Sequence, residues 1–279
     1  MKGYSIDISI IIISWNTVLL LKKCLKSVLK SLHCINKGEL IVVDNDSSDN
    51  SAFFVGQEFP QVCLIKNDSN LGFSRANNIG IQASKGRYLL LLNSDTIVNE
   101  DMLPNLIKFM DEHPYAGACG VRLIRPDGTV QPFGFGNDPT LGYLIKRVLT
   151  SFILHKPLHN WSPDKVIESD WVSGACLMLR SEVIHHTGPL DENIFMYFED
   201  NDLCLRIRKA GWKVYYNPHI SVMHLGGQSL IKNTEARTYY NKSLLYFYKK
   251  HYGIVQHLIL KILFVLHKFI VRYSRENCH

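Results

Sequence analysis

The chain of 279 residues lacks the sequence features of several large classes of protein. Its net charge is only +6, and no DNA- or RNA-reading motif accompanies that charge, so nucleic-acid binding is not expected. The seven cysteines include no CxxC pair, and most lie within apolar runs. This distribution argues against a disulfide scaffold and favours a reducing compartment. The sequence also contains no internal repeat and no low-complexity linker.

Long apolar runs and the common glycine-rich motifs are missing as well. The first apolar run, residues 8–13, is too short to span a bilayer, and no small-residue cleavage site follows it. We therefore expect no leader peptide. The sequence has no GxxxxGKS/T phosphate loop, no GxGxxG after its first predicted strand and no GxSxG nucleophile elbow. No set of cysteines and histidines has the spacing of a zinc site.

Short apolar runs alternate with helical patterns over the first half of the chain. Strands are predicted over residues 8–13, 39–43, 62–65 and 88–92. Helical spacing of apolar residues covers 21–32 and 103–110, and Ser74 is predicted to cap a further helix. This βαβα order predicts an α/β fold with a mainly parallel central sheet and helices on both faces.

Polar residues follow three of these predicted strands. The three segments are Ser14-Trp15-Asn16, residues 44–48, and Asn93-Ser94-Asp95. Because parallel sheets bind ligands outside the carboxyl ends of their strands, we expect the segments to share one site. Asp95 could bind a divalent cation, and Asp44 could accept an N–H group of a pyrimidine base. Each is also a common turn residue, which is the structural alternative.

Further candidates come from a loop and from a later strand. Asn70 and Gly72 lie in a loop that leads into a helix, where a glycine lets the backbone approach a ligand. Arg75 could pair with phosphate or contact a base. Two further strands are predicted near residues 213–216 and 221–224. His224, at the end of the second, could ligate the cation or touch phosphate, although a lone histidine is more often structural.

Three carboxylates, Glu199, Asp200 and Asp202, open a helix predicted over residues 199–210. Compensation of the helix dipole accounts for acidic residues in a first turn. Three carboxylates in four residues exceed what a cap needs, so one of them is predicted to be a general base.

Two segments depart from the alternating pattern. Residues 131–170 are rich in proline and glycine and predict an excursion over the sheet, as a lid or acceptor-side loop. Near the end of the sequence, polar residues fall on one stripe of a helix that is otherwise apolar. They are Lys250, His257, Lys261, Lys268 and Arg272. This pattern predicts a helix in a membrane interface, or one packed on the domain or on a second subunit.

Several of these segments carry a family resemblance. In chain order they read ISIIIISWN (8–16), VVDNDSSD (42–49), NLGFSRANNIG (70–80), LLLLNSDT (89–96), VSGACLMLR (172–180), GPLDE (188–192) and FMYFEDND (195–202), with His224 after them. Together they resemble glycosyltransferase family 2, in particular its bacterial rhamnosyltransferase-like branch. The resemblance implies a GT-A domain over residues 1–230 and leaves 231–279 as a C-terminal helical segment that associates with a membrane.

The resemblance also implies a set of roles. The nucleotide-sugar site would contain Ser14, Trp15, Asn16, Asp44, Asn70, Gly72, Arg75, Asn93 and Ser94. Asp95 corresponds to the last acid of a metal-binding DxD motif for Mg²⁺ or Mn²⁺, with Asn93 in place of the first acid and His224 as a further ligand. Asp200 corresponds to the base of a Glu-Asp pair with Glu199. The implied reaction is an inverting sugar transfer.

The substrates stay open at this point. The donor would be a dTDP- or UDP-sugar, with rhamnose suggested by the branch. The acceptor would be a saccharide, lipid-linked if the last helix lies on a membrane, in bacterial surface polysaccharide synthesis. That places the protein in the cytoplasm, peripheral on the inner face of the cell membrane, with a homo-oligomer as the alternative use of the helix.

Two other functions are compatible with an α/β sheet of this kind. A nucleotidyltransferase would usually carry a glycine-rich, basic loop after its first strand, where this chain has Ser14-Trp15-Asn16. A non-catalytic, membrane-attached carbohydrate-binding protein would not need the Glu199-Asp200 pair. Both functions are therefore less consistent with the sequence than sugar transfer.

Overall fold

The computed structural model describes residues 4–154, 159–226 and 234–276. The strands are β1 (Ile6–Ser14), β2 (Gly38–Asp44), β3 (Cys63–Lys66), β4 (Gly86–Asn93), β5 (Thr96–Val98), β6 (Ala116–Ile124), β7 (Phe135–Gly136), β8 (Ile167–Glu168), β9 (Trp171–Val172), β10 (Cys176–Arg180) and β11 (Lys213–His224). The helices are α1 (Val18–Leu32), α2 (Ser51–Glu58), α3 (Gly72–Ala83), α4 (Met102–Glu112), α5 (Leu141–Leu154), α6 (Ser181–Thr187), α7 (Glu199–Lys209), α8 (Thr234–His251) and α9 (Gly253–Glu276).

A nine-stranded sheet contains most of these strands, in the order β3-β2-β1-β4-β10-β6-β11-β5, with β8 paired to β11. The four strands β3, β2, β1 and β4 are parallel, as predicted. Beyond β4 the sheet is mixed, because β10 runs antiparallel to both β4 and β6 while β6 and β11 are parallel. The predicted parallel pairing thus holds for the N-terminal half, and the second half adds strands of both directions.

Hydrophobic side chains from both faces of the sheet build the core. Ile10 and Ile12 of β1 point into the cluster formed with α1, α2 and α4, whereas Ile11 belongs to the cluster on the other face with α6 and α7. Each of these three isoleucines is fully buried. A strand that is covered on both faces has no polar side to alternate with, which explains the unbroken apolar run in the sequence.

Two local predictions are wrong. Ser74 does not cap a helix: α3 already begins at Gly72, so Ser74 lies inside the first turn with its side chain buried. The separate strands predicted at 213–216 and 221–224 are one strand, β11, whose register with β6 shifts between Asn217 and Ser221. Pro218 lies in that interval and has no N–H to give to the ladder, so the pairing is interrupted there.

The segment 131–170 has more secondary structure than an open loop. It contains β7, α5 and β8, and β7 pairs with β9 to form a separate two-stranded sheet. Residues 155–158 lie outside the described part of the chain. Its role as a lid or acceptor-side loop stays a prediction.

The C-terminal segment forms two helices, whereas the sequence pattern predicts one helix with a single polar stripe. Gly253, with φ of +83°, separates α8 from α9, so Lys250 belongs to the earlier helix. His257 is buried, and its Nδ1 lies 2.9 Å from the carbonyl oxygen of Leu245. Lys261 is exposed, and the side chains of Lys268 and Arg272 lie outside the described residues. The prediction that one helix carries all five polar residues is therefore wrong, because the first helix ends at His251 and the second begins at Gly253.

The exposed side of α9 is apolar. Ile254, Val255, Leu258, Ile262, Val265 and Leu266 are each at least half exposed. Across the described residues, we find no helix with both the length and the hydrophobicity that crossing a membrane requires. Six cysteines fall within these residues and all are free thiols, in agreement with the prediction of no disulfide scaffold.

A third hydrophobic cluster joins α8 to the helix that carries the acidic residues. Phe247 and Tyr248 of α8 are fully buried in this cluster. They lie there with Phe198, which precedes α7, and Leu205, which is part of α7.

We predict that Phe247→Ala lowers the free energy of unfolding by about 3–5 kcal/mol, since it removes a fully buried ring. Urea denaturation measures this effect. The control Lys249→Ala, exposed on the same helix, should change it by less than about 0.5 kcal/mol. Equal effects of the two substitutions would show that α8 is not packed on the domain.

Candidate active site

The three polar strand ends meet at one edge of the sheet, as the sequence predicts. Ser14 at the end of β1 pairs in register with Asp44 of β2, and Ile13 pairs with Asn93 of β4. A chain of hydroxyl groups crosses this edge: Ser14 Oγ lies 3.1 Å from Thr17 Oγ1, which donates to Ser94 Oγ at 3.0 Å. Ser14 and Ser94 therefore help to hold the edge together.

The loop after β1 is fastened to the loop after β2. Asn16, with φ of +53°, accepts the Ser48 N–H at its Oδ1 at 2.8 Å, and its own N–H donates to Ser47 Oγ at 3.0 Å. Left-handed backbone is tolerated by asparagine better than by most residues. Trp15, between the two loops, is 51% exposed and presents an aromatic ring to solvent at this edge.

Asp44 has one satisfied and one unsatisfied carboxylate oxygen. Its Oδ2 accepts the Ser47 N–H at 3.0 Å, while its Oδ1 is buried and has no hydrogen-bond partner among the described residues. Buried polar atoms are nearly always paired in folded proteins, so such an atom requires an explanation. A donor from a bound molecule, such as the N–H of a pyrimidine base, would satisfy it.

Asn45 shapes the loop that precedes α3, a role that the sequence analysis did not foresee. Its Nδ2 donates to Asn70 Oδ1 at 2.8 Å, and its Oδ1 accepts the Leu71 N–H at 3.0 Å. Asn70 Oδ1 also accepts the Gly72 N–H at 3.0 Å, so the Asn70 side chain is engaged within the loop. Gly72 has φ of +81°, and a Cβ on it would lie 2.5 Å from the Phe195 ring. This position therefore accepts glycine alone.

Arg75 extends from the first turn of α3 toward solvent. Its side chain is 55% exposed, and its Nε lies 3.4 Å from Glu192 Oε2. An exposed ion pair of this length contributes little to stability, so the guanidinium can change partner at small cost. The structure thus places Arg75 beside the Gly72 backbone without contact to Asp44 or Asp95.

Asp95 and His224 come together from distant parts of the chain. His224 Nε2 lies 3.2 Å from Asp95 Oδ1, and His224 Nδ1 lies 2.9 Å from Gln131 Oε1. Asn93 Nδ2 is 3.4 Å from the same Nε2. Gln131 was not predicted as a site residue. The amide oxygen of Gln131 can only accept a hydrogen bond, so it favours the tautomer of His224 with the proton on Nδ1. In that tautomer the lone pair of Nε2 faces Asp95.

This donor set suits a divalent cation. An imidazole lone pair and a carboxylate oxygen that face each other at 3.2 Å need a proton or a cation between them. Gly226 keeps the space clear, since a Cβ there would lie 1.9 Å from Asp95 Oδ2. Within residues 4–154, 159–226 and 234–276, no cluster of three or more His, Cys, Asp or Glu side chains could hold a metal. Asp95 and His224 would therefore supply two ligands, and substrate oxygens and water would supply the rest.

Glu199 and Asp200 begin α7 after a strained backbone segment. Tyr197 and Phe198 both have φ of +66°, which is rare for bulky residues and costs of order 1–3 kcal/mol each. Phe198 nevertheless keeps this conformation because its ring is buried beside Tyr240 and Phe247 of α8. The packing of α8 therefore determines the direction in which Glu199 and Asp200 point.

The two acids differ in their hydrogen bonds. Asp200 Oδ2 accepts the Gly174 N–H at 3.0 Å, and Asp200 Oδ1 accepts the Asn201 N–H at 2.8 Å. Glu199 Oε2 is buried with no partner among the described residues. Burial and the neighbouring Asp200 charge raise the pKa of Glu199 well above its usual value. Burial also raises the pKa of Asp200, against its backbone donors. Both acids therefore hold a proton more readily than an exposed carboxyl group does, and the two backbone donors favour the charged form of Asp200 over that of Glu199.

A short stretch of chain connects this acidic pair to the strand-end site. Gly174 donates to Asp200, and the carbonyl oxygen of the next residue, Ala175, accepts the Asn93 N–H at 3.0 Å. Asn93 lies two positions before Asp95. These two hydrogen bonds connect the segment that leads to Asp95 with the acidic pair, whereas Asp202, a third acid in the first turn of the same helix, points elsewhere, toward α8.

Comparison with solved structures defines the class of protein. A mannosyltransferase from Pyrobaculum calidifontis, solved with GDP-Man and Mn²⁺, superposes with a TM-score of 0.61 at 17% identity, over 94% of this chain and 68% of that one. At this identity the likeness concerns the fold alone. The fold is that of the GT-A sugar-nucleotide transferases, as the sequence predicts.

The family follows from sequence comparison. The family model described as glycosyl transferase family 2 matches residues 9–161, more than half of the chain. This chain belongs to that family. An N-acetylglucosaminyl-diphospho-decaprenol L-rhamnosyltransferase of Mycobacterium tuberculosis is 29% identical over 201 residues, which is 66% of each chain. An Escherichia coli rhamnosyltransferase is 29% identical over 162 residues, 55% of this chain and 60% of its own length. The matches thus span just under two thirds of these relatives.

A substitution at Gly226 tests the proposed cation site without replacing either of the two ligand residues. We predict that Gly226→Ala weakens Mn²⁺ binding in the presence of UDP at least about tenfold, or about 1.4 kcal/mol, because the new Cβ displaces the Asp95 carboxylate. Electron paramagnetic resonance of free Mn²⁺ measures the affinity. The control Gly56→Ala places a methyl group in a helix at ordinary contact distance from Leu64 and should leave the affinity unchanged. Unaltered binding by the Gly226 variant would mean that the cation lies elsewhere.

Proposed function

We propose that this protein transfers a sugar from a nucleoside diphosphate sugar to a hydroxyl group of a saccharide acceptor, with inversion at the anomeric carbon. The observation that carries the proposal is the connection through Gly174 and Ala175, which joins a carboxylate pair to the edge where the strand ends meet. A general base and a nucleotide site must be this close for transfer between two substrates. Membership of glycosyl transferase family 2 supports the same reaction.

The donor side is assigned to the strand ends and to α3. The unpaired Asp44 Oδ1 accepts an N–H of the base, and the Trp15 ring and the Asn16 loop border the nucleotide. Gly72 lets the phosphates approach the start of α3, where Arg75 can exchange Glu192 for a phosphate oxygen. Asp95 and His224 would hold Mg²⁺ or Mn²⁺, and such a cation would neutralise charge on a diphosphate leaving group. Rhamnose is the sugar suggested by the two rhamnosyltransferases to which the chain is similar.

The acceptor side is assigned to the acidic pair. Asp200 removes the proton of the acceptor hydroxyl as the oxygen of that hydroxyl forms a bond to the anomeric carbon. The bond from that carbon to the diphosphate breaks in the same step, so a single displacement inverts the centre. Glu199 is buried with no hydrogen-bond donor to its Oε2 among the described residues, so it is less suited to carry charge than Asp200, which we assign as the base.

We further propose a lipid-linked acceptor at a membrane surface. The apolar side of α9 faces outward, and contiguous apolar surface of this kind marks an interaction site. Lys261 borders it, as a basic residue does in a helix that lies in a membrane interface. The mycobacterial relative is named for a diphospho-decaprenol acceptor. A short-chain alkyl-diphospho-N-acetylglucosamine is therefore the acceptor to test, with dTDP-rhamnose and UDP-hexoses as donors.

Asp200→Asn tests the base. It should lower kcat by about 10²–10⁴-fold and leave the KM for the donor near its wild-type value, since the amide cannot accept the proton. The wild-type rate should also fall as the pH is lowered through a pKa above the usual aspartate range, because burial raises the pKa of Asp200. Steady-state kinetics with the diphosphate acceptor measures both. Asp127→Asn, at an exposed turn, is the control, and near-normal turnover by the Asp200 variant would contradict the assignment.

A double substitution, Leu258→Glu with Ile262→Glu, tests the membrane proposal. Two charges on the exposed apolar side of α9 should abolish co-sedimentation with vesicles that contain anionic phospholipid, because carboxylates are repelled and resist burial. The matched control is Tyr115→Glu, an exposed aromatic 71% accessible and remote from α9 in the chain. Retained sedimentation by the double variant would refute membrane attachment through α9. Light scattering then shows whether this side joins two copies.

A further inference from the structure

Phe133 has an unusual backbone and an exposed ring. Its φ is +65°, a conformation that is strained for a bulky residue, and its side chain is 51% exposed. Its ring is only partly covered, by Trp161 and Arg147, whereas the Phe198 ring is buried. Strain of this kind concentrates at ligand sites.

The position of Phe133 connects it to both halves of the active site. Two residues earlier, Gln131 contacts His224 Nδ1 at 2.9 Å. One residue later, the Gly134 carbonyl oxygen accepts the Ser173 N–H at 2.9 Å, and the following Gly174 donates to Asp200. The segment that carries Phe133 thus runs from the proposed cation ligand to the proposed base. The attacking acceptor hydroxyl must reach this same interval.

Arg147 of α5 lies over the Phe133 ring, with 5.5 Å from the guanidinium carbon to the ring centroid. Its side chain is exposed, and within the described residues it forms no ion pair with a carboxylate. Burial raises the pKa of Tyr240, the Arg147 charge opposes that rise, and the Asp200 charge adds to it. Tyr240 is therefore within electrostatic range of both Arg147 and Asp200.

An exposed aromatic ring beside an unpaired guanidinium is suited to one chemical class of ligand. The C–H-bearing face of a pyranose packs on an aromatic ring, and a guanidinium forms charge-assisted hydrogen bonds with phosphate oxygens. Lys146, also exposed, adds a second cation next to Arg147. Trp161, with its ring centroid 4.8 Å from that of Phe133, supports the ring from one side.

We propose that Phe133 and Arg147 form the acceptor subsite, in which the Phe133 ring packs on the acceptor sugar and Arg147 binds a phosphate group attached to that sugar. The subsite rests on the proposed sugar transfer and specifies its acceptor as a glycosyl phosphate or diphosphate.

Kinetics with two acceptors tests the proposal. The acceptors are the alkyl-diphospho-N-acetylglucosamine and the alkyl glycoside of the same sugar without the diphosphate. Phe133→Asn removes the ring with a residue that tolerates positive φ, and it should raise the KM of both acceptors about tenfold. Arg147→Gln should raise the KM of the diphosphate acceptor alone by about tenfold, and Arg147→Lys should recover part of the loss. Donor hydrolysis without acceptor should stay at the wild-type rate in all three.

Tyr115→Ala, which removes an exposed ring at the opposite end of β6, is the control and should change none of these values. Unchanged acceptor KM in Phe133→Asn, or a parallel loss of donor hydrolysis, would overturn the subsite. Calorimetric titration with the diphosphate acceptor measures acceptor affinity without turnover, so it tests the subsite independently of the proposed reaction. If the wild-type protein neither hydrolyses nor transfers but binds this acceptor through Phe133 and Arg147, the proposed function fails and the subsite stands. Equal affinity of the wild type, Phe133→Asn and Arg147→Gln for the diphosphate acceptor rejects the subsite.

Discussion

A buried carboxylate, Asp202, connects the acidic helix to the C-terminal helices. Its side chain is fully buried and accepts hydrogen bonds from Arg206 Nε at 2.8 Å, Lys250 Nζ at 2.6 Å and His251 Nε2 at 2.7 Å. Burial alone would raise the pKa of Asp202, but these three partners outweigh it and hold that pKa below its usual value. Since an unpaired charge is costly to bury, the carboxylate requires α8 to stay against α7.

The orientation of the proposed base depends on this contact. With α8 in place, Tyr240 and Phe247 cover the Phe198 ring, and Ser243 Oγ donates to the Met196 carbonyl oxygen at 2.8 Å. These contacts offset the left-handed backbone that precedes Glu199. The first helix of the C-terminal segment therefore contributes to the active site through packing, even though it supplies none of its reacting groups. The division of the chain at residue 230 stays a prediction. It would separate α7 from α8, although the two helices pack against each other.

Sequence patterns predicted the strand ends well because register in a parallel sheet is set by apolar runs. Asp44 and Asn93 lie where the ends of 39–43 and 88–92 place them. Thr17 and Gln131 were missed, and the role of Asn45 within the predicted segment 44–48 was not foreseen. All three act through side-chain hydrogen bonds, to partners as many as 93 positions away. An amide or hydroxyl beside a turn has an ordinary local role, so no pattern distinguishes these from other turn residues.

Charge is distributed unequally between the two sides of the site. The donor side is held by neutral groups, since amides and hydroxyls of Asn16, Asn45, Thr17 and Ser94 connect the loops, and Asn93 stands where the family motif has an acid. The proposed acceptor side instead combines the acid Asp200 with the cation Arg147. Compared with a motif of two acids, the proposed donor side has one carboxylate fewer and would repel a diphosphate less. The imidazole of His224 can then complete the ligand set of the cation without adding negative charge. The loss of the first acid and the presence of His224 are therefore two parts of one electrostatic arrangement.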